Sequence, residues 1–122
     1  METVDAEIRL AAFVAQILTL EINQRVFCGT LPPGIPEGVT VRFLSRGGEI
    51  AGSPQNCVAE VTISCFDRSE LFTRAAQLAD ALPDYGGKFL SLLPQGEFSF
   101  SEDRTGGALI HRATGRILAS FA

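Results

Sequence analysis

The stretch CVAEVTISCF, residues 57–66, alternates apolar and polar side chains along its length. A pleated strand points successive side chains to opposite faces, so Cys57, Ala59, Val61, Ile63 and Cys65 fall together on one face and a mostly polar set falls on the other. A strand built this way needs an apolar layer on one side and tolerates water on the other. Two segments can supply that layer. Asp5 to Arg25 contains no Gly or Pro, and Ile8, Ala11, Ala15, Leu18 and Ile22 recur at helical spacing, with acids in the first turn and Arg25 in the last. A second row, Leu10, Phe13, Ile17 and Leu20, makes this predicted helix apolar on more than one side, which suggests contact with another subunit. After the strand, Asp67 stands as an N-cap with Glu70 three residues on, in the manner of a capping box. Leu71, Ala75, Leu78 and Leu82 then form one stripe on a second helix that Pro83 stops.

The remaining elements are shorter. Val39, Val41 and Phe43 alternate with Thr40, Arg42 and Leu44 as a half-buried strand. Lys88 to Leu93 and Glu97 to Ser101 read as short strands, the latter with Phe98 and Phe100 on one face, and ALIHR and GRILASF read as a final pair broken around Ala113 to Gly115. The expected fold is α+β, with a mainly antiparallel sheet and two helices packed on one face. The 122 residues suit a single domain spanning 1–122.

Composition narrows the functional classes. A formal charge of −4 with scattered basic residues argues against phosphate-mediated grip on nucleic acid. Every apolar run is punctuated well short of the roughly 18 residues a membrane helix needs. METVDAEIRL opens with acids where a signal peptide carries bases, so a cytoplasmic product is expected. Cys28, Cys57 and Cys65 are odd in number and lack CxxC spacing, which fits neither a disulfide framework nor a zinc site; buried free thiols are expected instead. The single histidine, His111, is expected at a solvent-facing or edge-strand position. Glu97, Glu102, Asp103 and Arg104 read as a solvated polar run between short strands. No phosphate-binding glycine motif is present. The expectation is a protein without catalytic residues, cofactor or metal.

Two loops remain to be explained. VFCGTLPPGIPEGVTVRF interrupts an apolar run with three prolines and three glycines before the chain resumes as a strand. Leu31, Pro32, Pro33 and Pro36 preset backbone dihedrals, so the loop loses little entropy when a neighbour holds it in one shape. SRGGEIAGSPQN, Ser45 to Asn56, is longer than a hairpin requires. In it Arg46 and Glu49 are lone charges, and Ile50 is an apolar group suited to a partner's pocket.

The succession of N-terminal helix, Gly29-Thr30-Leu31-Pro32 loop, strand, Gly47-Gly48 turn, strand Val61 to Phe66 and Ala-rich helix Ser69 to Leu82 resembles the tail-terminator and minor capsid proteins of tailed bacteriophages. The likeness runs from about Leu10 to Gly87, and the C-terminal third departs from the pattern. The resemblance implies a small structural subunit of the virion that assembles as a ring, usually a hexamer. Such a ring caps the tail tube, ends tail growth and joins tail to head. It also implies tail tube and head-completion (connector) proteins as partners and a position at the head-tail junction; the stiffness and length of the two loops make Leu31, Pro32, Pro33, Arg46, Glu49 and Ile50 the expected partner contacts. The rival class is an acidic secretion chaperone, which dimerises through a C-terminal helix; GRILASFA, glycine-punctuated and β-branched, is a poor candidate for one.

Overall fold

The computed structural model of the chain describes residues 3–44, 55–82, 89, 91–105 and 107–121. They form helix α1 (Thr3–Leu18), strands β1 (Val26–Cys28), β2 (Gly38–Phe43) and β3 (Gln55–Cys65), helix α2 (Arg68–Ala81), and strands β4 (Ser91–Pro94), β5 (Ser99–Thr105) and β6 (Ala108–Phe121). The fold is α+β. Six strands make one sheet in the order β1-β2-β3-β6-β4, with β5 also paired to β6, and every pairing but β1 with β2 is antiparallel.

Both helices cover the same face. The alternation in 57–66 does what its pattern demands: Cys57, Ala59, Val61, Ile63 and Cys65 are fully buried under the helices, while Glu60 and Thr62 on the other face keep contact with solvent. Across the sheet, register places Ala113, Gly115, Ile117 and Ala119 of β6 beside them on the helix side. α1 lies over β1 and β2 and touches α2, which lies over β3 and β6. The buried face of α1 matches the expected row in part: Ala11, Ala15 and Leu18 are buried as read, but the face is wider and shifted. Leu10, from the second apolar row, is fully buried with Ala6, Ala11 and Val14, and Phe13, Ile17 and Leu20 pack against the core. Ile8, expected in the core, is 50% exposed. The wide apolar arc is therefore used mostly inside the chain, because one helix must roof two strands and meet α2 as well.

α1 also stops earlier than the absence of Gly and Pro suggests. Thr19 turns left-handed at φ +55°, its N–H reaches Gln16 O at 3.3 Å, and Leu20 N–H reaches Ala15 O at 2.9 Å. That pair of bonds is the Schellman closure, which satisfies the last free carbonyls of the helix. Residues 20–25 then form a turn in which Glu21 O receives the N–H groups of Arg25 and Val26. α2 begins as read: the Asp67 carboxylate accepts the Ser69 N–H at 2.9 Å. Glu70 turns to Arg74 one turn on rather than back to the cap.

The parallel pairing of β1 with β2 accounts for the proline-rich interruption. A tight hairpin joins only antiparallel neighbours, whereas Val26↔Val39 and Cys28↔Val41 run the same way, so the chain must return to the starting end of the sheet before β2 can begin. Residues 29–37 make that return across the face opposite the helices. Gly29 and Gly34 take φ +93° and +83°, and Ile35 N–H closes a turn on Pro32 O at 3.2 Å. At the base, a Cβ on Gly38 would stand 2.9 Å from both Arg25 O and Leu31 Cδ2, so only glycine fits there. Beneath the loop, Ser64 is 2% exposed.

β6 corrects the C-terminal reading. It is one strand from Ala108 to Phe121, pairing with β3 from His111 to Phe121, and Ala113 to Gly115 is not a break. Gly115 is there for close packing: a Cβ would lie 2.7 Å from Phe98 Cε1. The irregularity sits on the partner instead. β4 and β5 follow one another along the same side of β6, and residues 95–98 between them oppose only Gly115 and Arg116, with Gln95 N–H returning to Arg116 O at 2.8 Å. The extra residues bulge away and lay the Phe98 ring over Gly115.

Candidate protein-docking site

A concave apolar surface opens beside the bulge. α2 roofs β3 and β6 but stops short of β5, leaving a groove of about 330 Å³ between the helix and the outer strand. Its floor is small: Ala75, Ala76 and Ala79 come from successive turns of α2. Its walls are aromatic. Phe72 and Phe100 meet edge to face with centroids 4.8 Å apart while remaining 39% and 50% exposed, and Phe98 closes the side over Gly115. Arg68 sits 4.9 Å from the Phe72 ring centroid, a cation-π contact at the N-terminal end of the groove. Exposed aromatic pairs beside an open strand edge are unusual on a surface with no partner, because each ring keeps apolar area in water.

The opposite face of the sheet is arranged in cross-strand rows. Thr62 and Thr114 hydroxyls lie 3.4 Å apart, Arg42 pairs with Glu60 at 3.2 Å, and Ser120 bonds Asn56 at 2.5 Å. One row is apolar. The register sets Leu44, just past the end of β2, beside Val58, Leu118 and Leu93 of β3, β6 and β4, with Leu44 and Leu93 41% and 53% exposed at the two ends of the row. A flat mixed surface of this kind suits protein contact more than enclosure of a small ligand.

Leu31 and Pro32 are half-buried on the crossover loop and Pro33 is exposed, so the structure brings these three together on the face away from the helices. Arg46, Glu49 and Ile50 lie outside the described residues, as do Pro83 and Lys88. Phe72, Phe98 and Phe100, which build the groove, were not singled out from the sequence as a surface. The available signal was the spacing of Phe72 with Ala76 and Ala79 on the flank of α2 beyond its core stripe.

The titratable groups sit differently from expectation. His111 belongs to an inner strand and is largely covered on the helix side, with Nδ1 3.4 Å from Glu102 Oε1. Glu102, Asp103 and Arg104 lie within β5 rather than in a loop, and Asp103 pairs with Arg112 at 2.8 Å. Cys57 and Cys65 are buried free thiols as expected, but Cys28 is exposed. Although the residue is exposed overall, its Sγ lies against Glu7 O, and this partial burial, then the Glu7 carboxylate, pushes the Cys28 thiol above its ordinary value. Burial first, with help from Glu70 and Glu37 and against the pull of Arg74, raises Cys65 likewise. Thiols raised this way are poor nucleophiles at neutral pH. No cluster of three or more His, Cys, Asp or Glu able to hold a metal occurs among the described residues.

No family model and no curated protein sequence matches the chain. Among solved structures, a chain in the virion of a native gene transfer agent particle is similar at 18% identity and a TM-score of 0.47, over 98% of this chain and 91% of that one.

Proposed function

We propose that the chain is a structural protein of a tailed phage or phage-like virion: a subunit that closes the tail tube as a ring, ends tail growth and joins tail to head. The observation that carries this reading is the aromatic groove between α2 and β5, where Phe72 and Phe100 stay exposed among the described residues with the chemistry of an assembly contact. The sequence likeness to tail terminators supports it. So does the crossover loop, whose rigid Leu31-Pro32-Pro33 segment is held against the sheet rather than swinging free. In this reading the subunit acts by assembling and has no catalytic role, its partners are copies of itself, the tail tube protein and the connector proteins, and it resides at the head-tail junction.

The test is native mass measurement of the purified chain alone and with polymerised tube protein, with tube ends viewed by electron microscopy. The expected outcome is a closed multimer at one tube end and tubes of uniform length. A chain that stays monomeric and never joins a tube end overturns the reading.

A further inference from the structure

The aromatic groove and the proline-rich crossover loop are complementary in chemistry but cannot meet within one chain. The groove opens on the helix side at the β5 edge, and the loop lies on the opposite face, over Ser64, Ile110 and Arg112. Resting on the ring reading above, we infer that the Leu31–Pro36 loop of one copy docks in the Phe72–Phe98–Phe100 groove of the next.

Three observations support that occupant. The first is surface type. Proline-rich segments seat against aromatic walls because their backbone is already restricted and their rings are flat and apolar. Pro33 and Pro36 are exposed, and Leu31, Pro32 and Ile35 are half-exposed, while the alanine floor of the groove leaves room between its phenyl walls. The second is preorganisation. The loop is pinned by its own Ile35-to-Pro32 turn, by the glycine-only base at Gly38, and by the Glu37 carboxylate, which accepts the Phe66 N–H at 2.9 Å. Docking a segment already fixed costs little conformational entropy. The third is charge. Arg25 is exposed and its backbone is fixed at the loop base, where its carbonyl accepts the Val39 N–H at 2.7 Å, and Glu97 lines the groove. Neither side chain has an ion-pair partner among the described residues. A contact between two different patches is heterologous: repeated from copy to copy it generates a ring when the rotation closes.

The test is disulfide trapping in a Cys28→Ser background, with Pro33→Cys and Ala76→Cys introduced together and separately, oxidised on assembled tubes. Both substituted positions are exposed, so the variants fold as the parent does. The expected result is a ladder of covalent multimers from the double variant alone. Rings that form without a ladder overturn the loop-in-groove contact and leave the ring reading intact; a chain that never assembles overturns both. A cross-link from Ala76→Cys to the tube protein instead also overturns it, by showing a foreign occupant. As a second readout, Arg25→Glu and Glu97→Arg should each weaken assembly about tenfold, and the double exchange should restore it; failure of the exchange to restore assembly counts against the proposed charge pairing.

Discussion

Thr19 holds a left-handed backbone at φ +55°, where a β-branched side chain crowds its own carbonyl. The Schellman bonds compensate, and the strain remains. Thr19→Gly should therefore raise unfolding stability by about 1 kcal/mol, read as an increased urea midpoint with unchanged slope. A lower midpoint would mean that the threonine side chain contributes more than its backbone costs. Gly115 shows the reverse constraint. Gly115→Ala should cost about 1 to 3 kcal/mol, because its methyl would press on the Phe98 ring, and Phe98→Ala in the same chain should recover part of that loss. Additive losses in the double variant would show that the ring does not set the limit. Neither position could be read correctly from its neighbours. Thr19 carries no helix-stop signal, and Gly115 in sequence resembles a turn residue.

At the level of elements, the chain manages a short edge. β1 ends at Cys28, so β2 beyond Val41 keeps β3 on one side but loses its partner on the other, and the Phe43 N–H would be left facing outward. Glu7 of α1 supplies the acceptor, its carboxylate 2.9 Å from that N–H. Glu7→Ala should destabilise by about 1 to 3 kcal/mol, and Glu7→Gln, which keeps an acceptor, by less. Equal losses from both would show that charge rather than hydrogen bonding matters at this site. The two elements legible to within a residue at each end, β2 and α2, owe this to local signals: strict alternation in one, and in the other an N-cap that binds the Ser69 N–H. In sequence β6 reads as two strands because Gly and short polar residues interrupt its pattern. In space it is an inner strand with neighbours on both sides, and pairing along β3 holds it straight through Gly115.

At the level of the molecule, folding withdraws two thiols from ionisation. Cys28 and Cys65 are raised above the usual 9.0, by burial foremost, so each keeps its proton more tightly folded than unfolded. The folded chain then binds more protons than the unfolded one above about pH 9, and stability must fall as pH rises past that point. The urea midpoint should drop between pH 7 and pH 10.5, and the drop should be smaller in the Cys28→Ser, Cys65→Ala variant; identical drops would remove the thiols from the explanation. What the sequence determined by itself was periodic and local: the half-buried β3, the α2 cap and stripe, and hence an α+β sheet with helices on one side. Periodicity reports which side of an element is apolar, and that is enough to assign layers. Tertiary structure alone decided the parallel crossover of β1 to β2, the true phase and length of α1, the unbroken β6 and the aromatic groove. Each of these depends on contacts between residues far apart in the chain, which no local pattern records. Phe98 reaches Gly115 only because a bulge places it there, and Phe72 meets Phe100 only because α2 and β5 share a flank of the sheet.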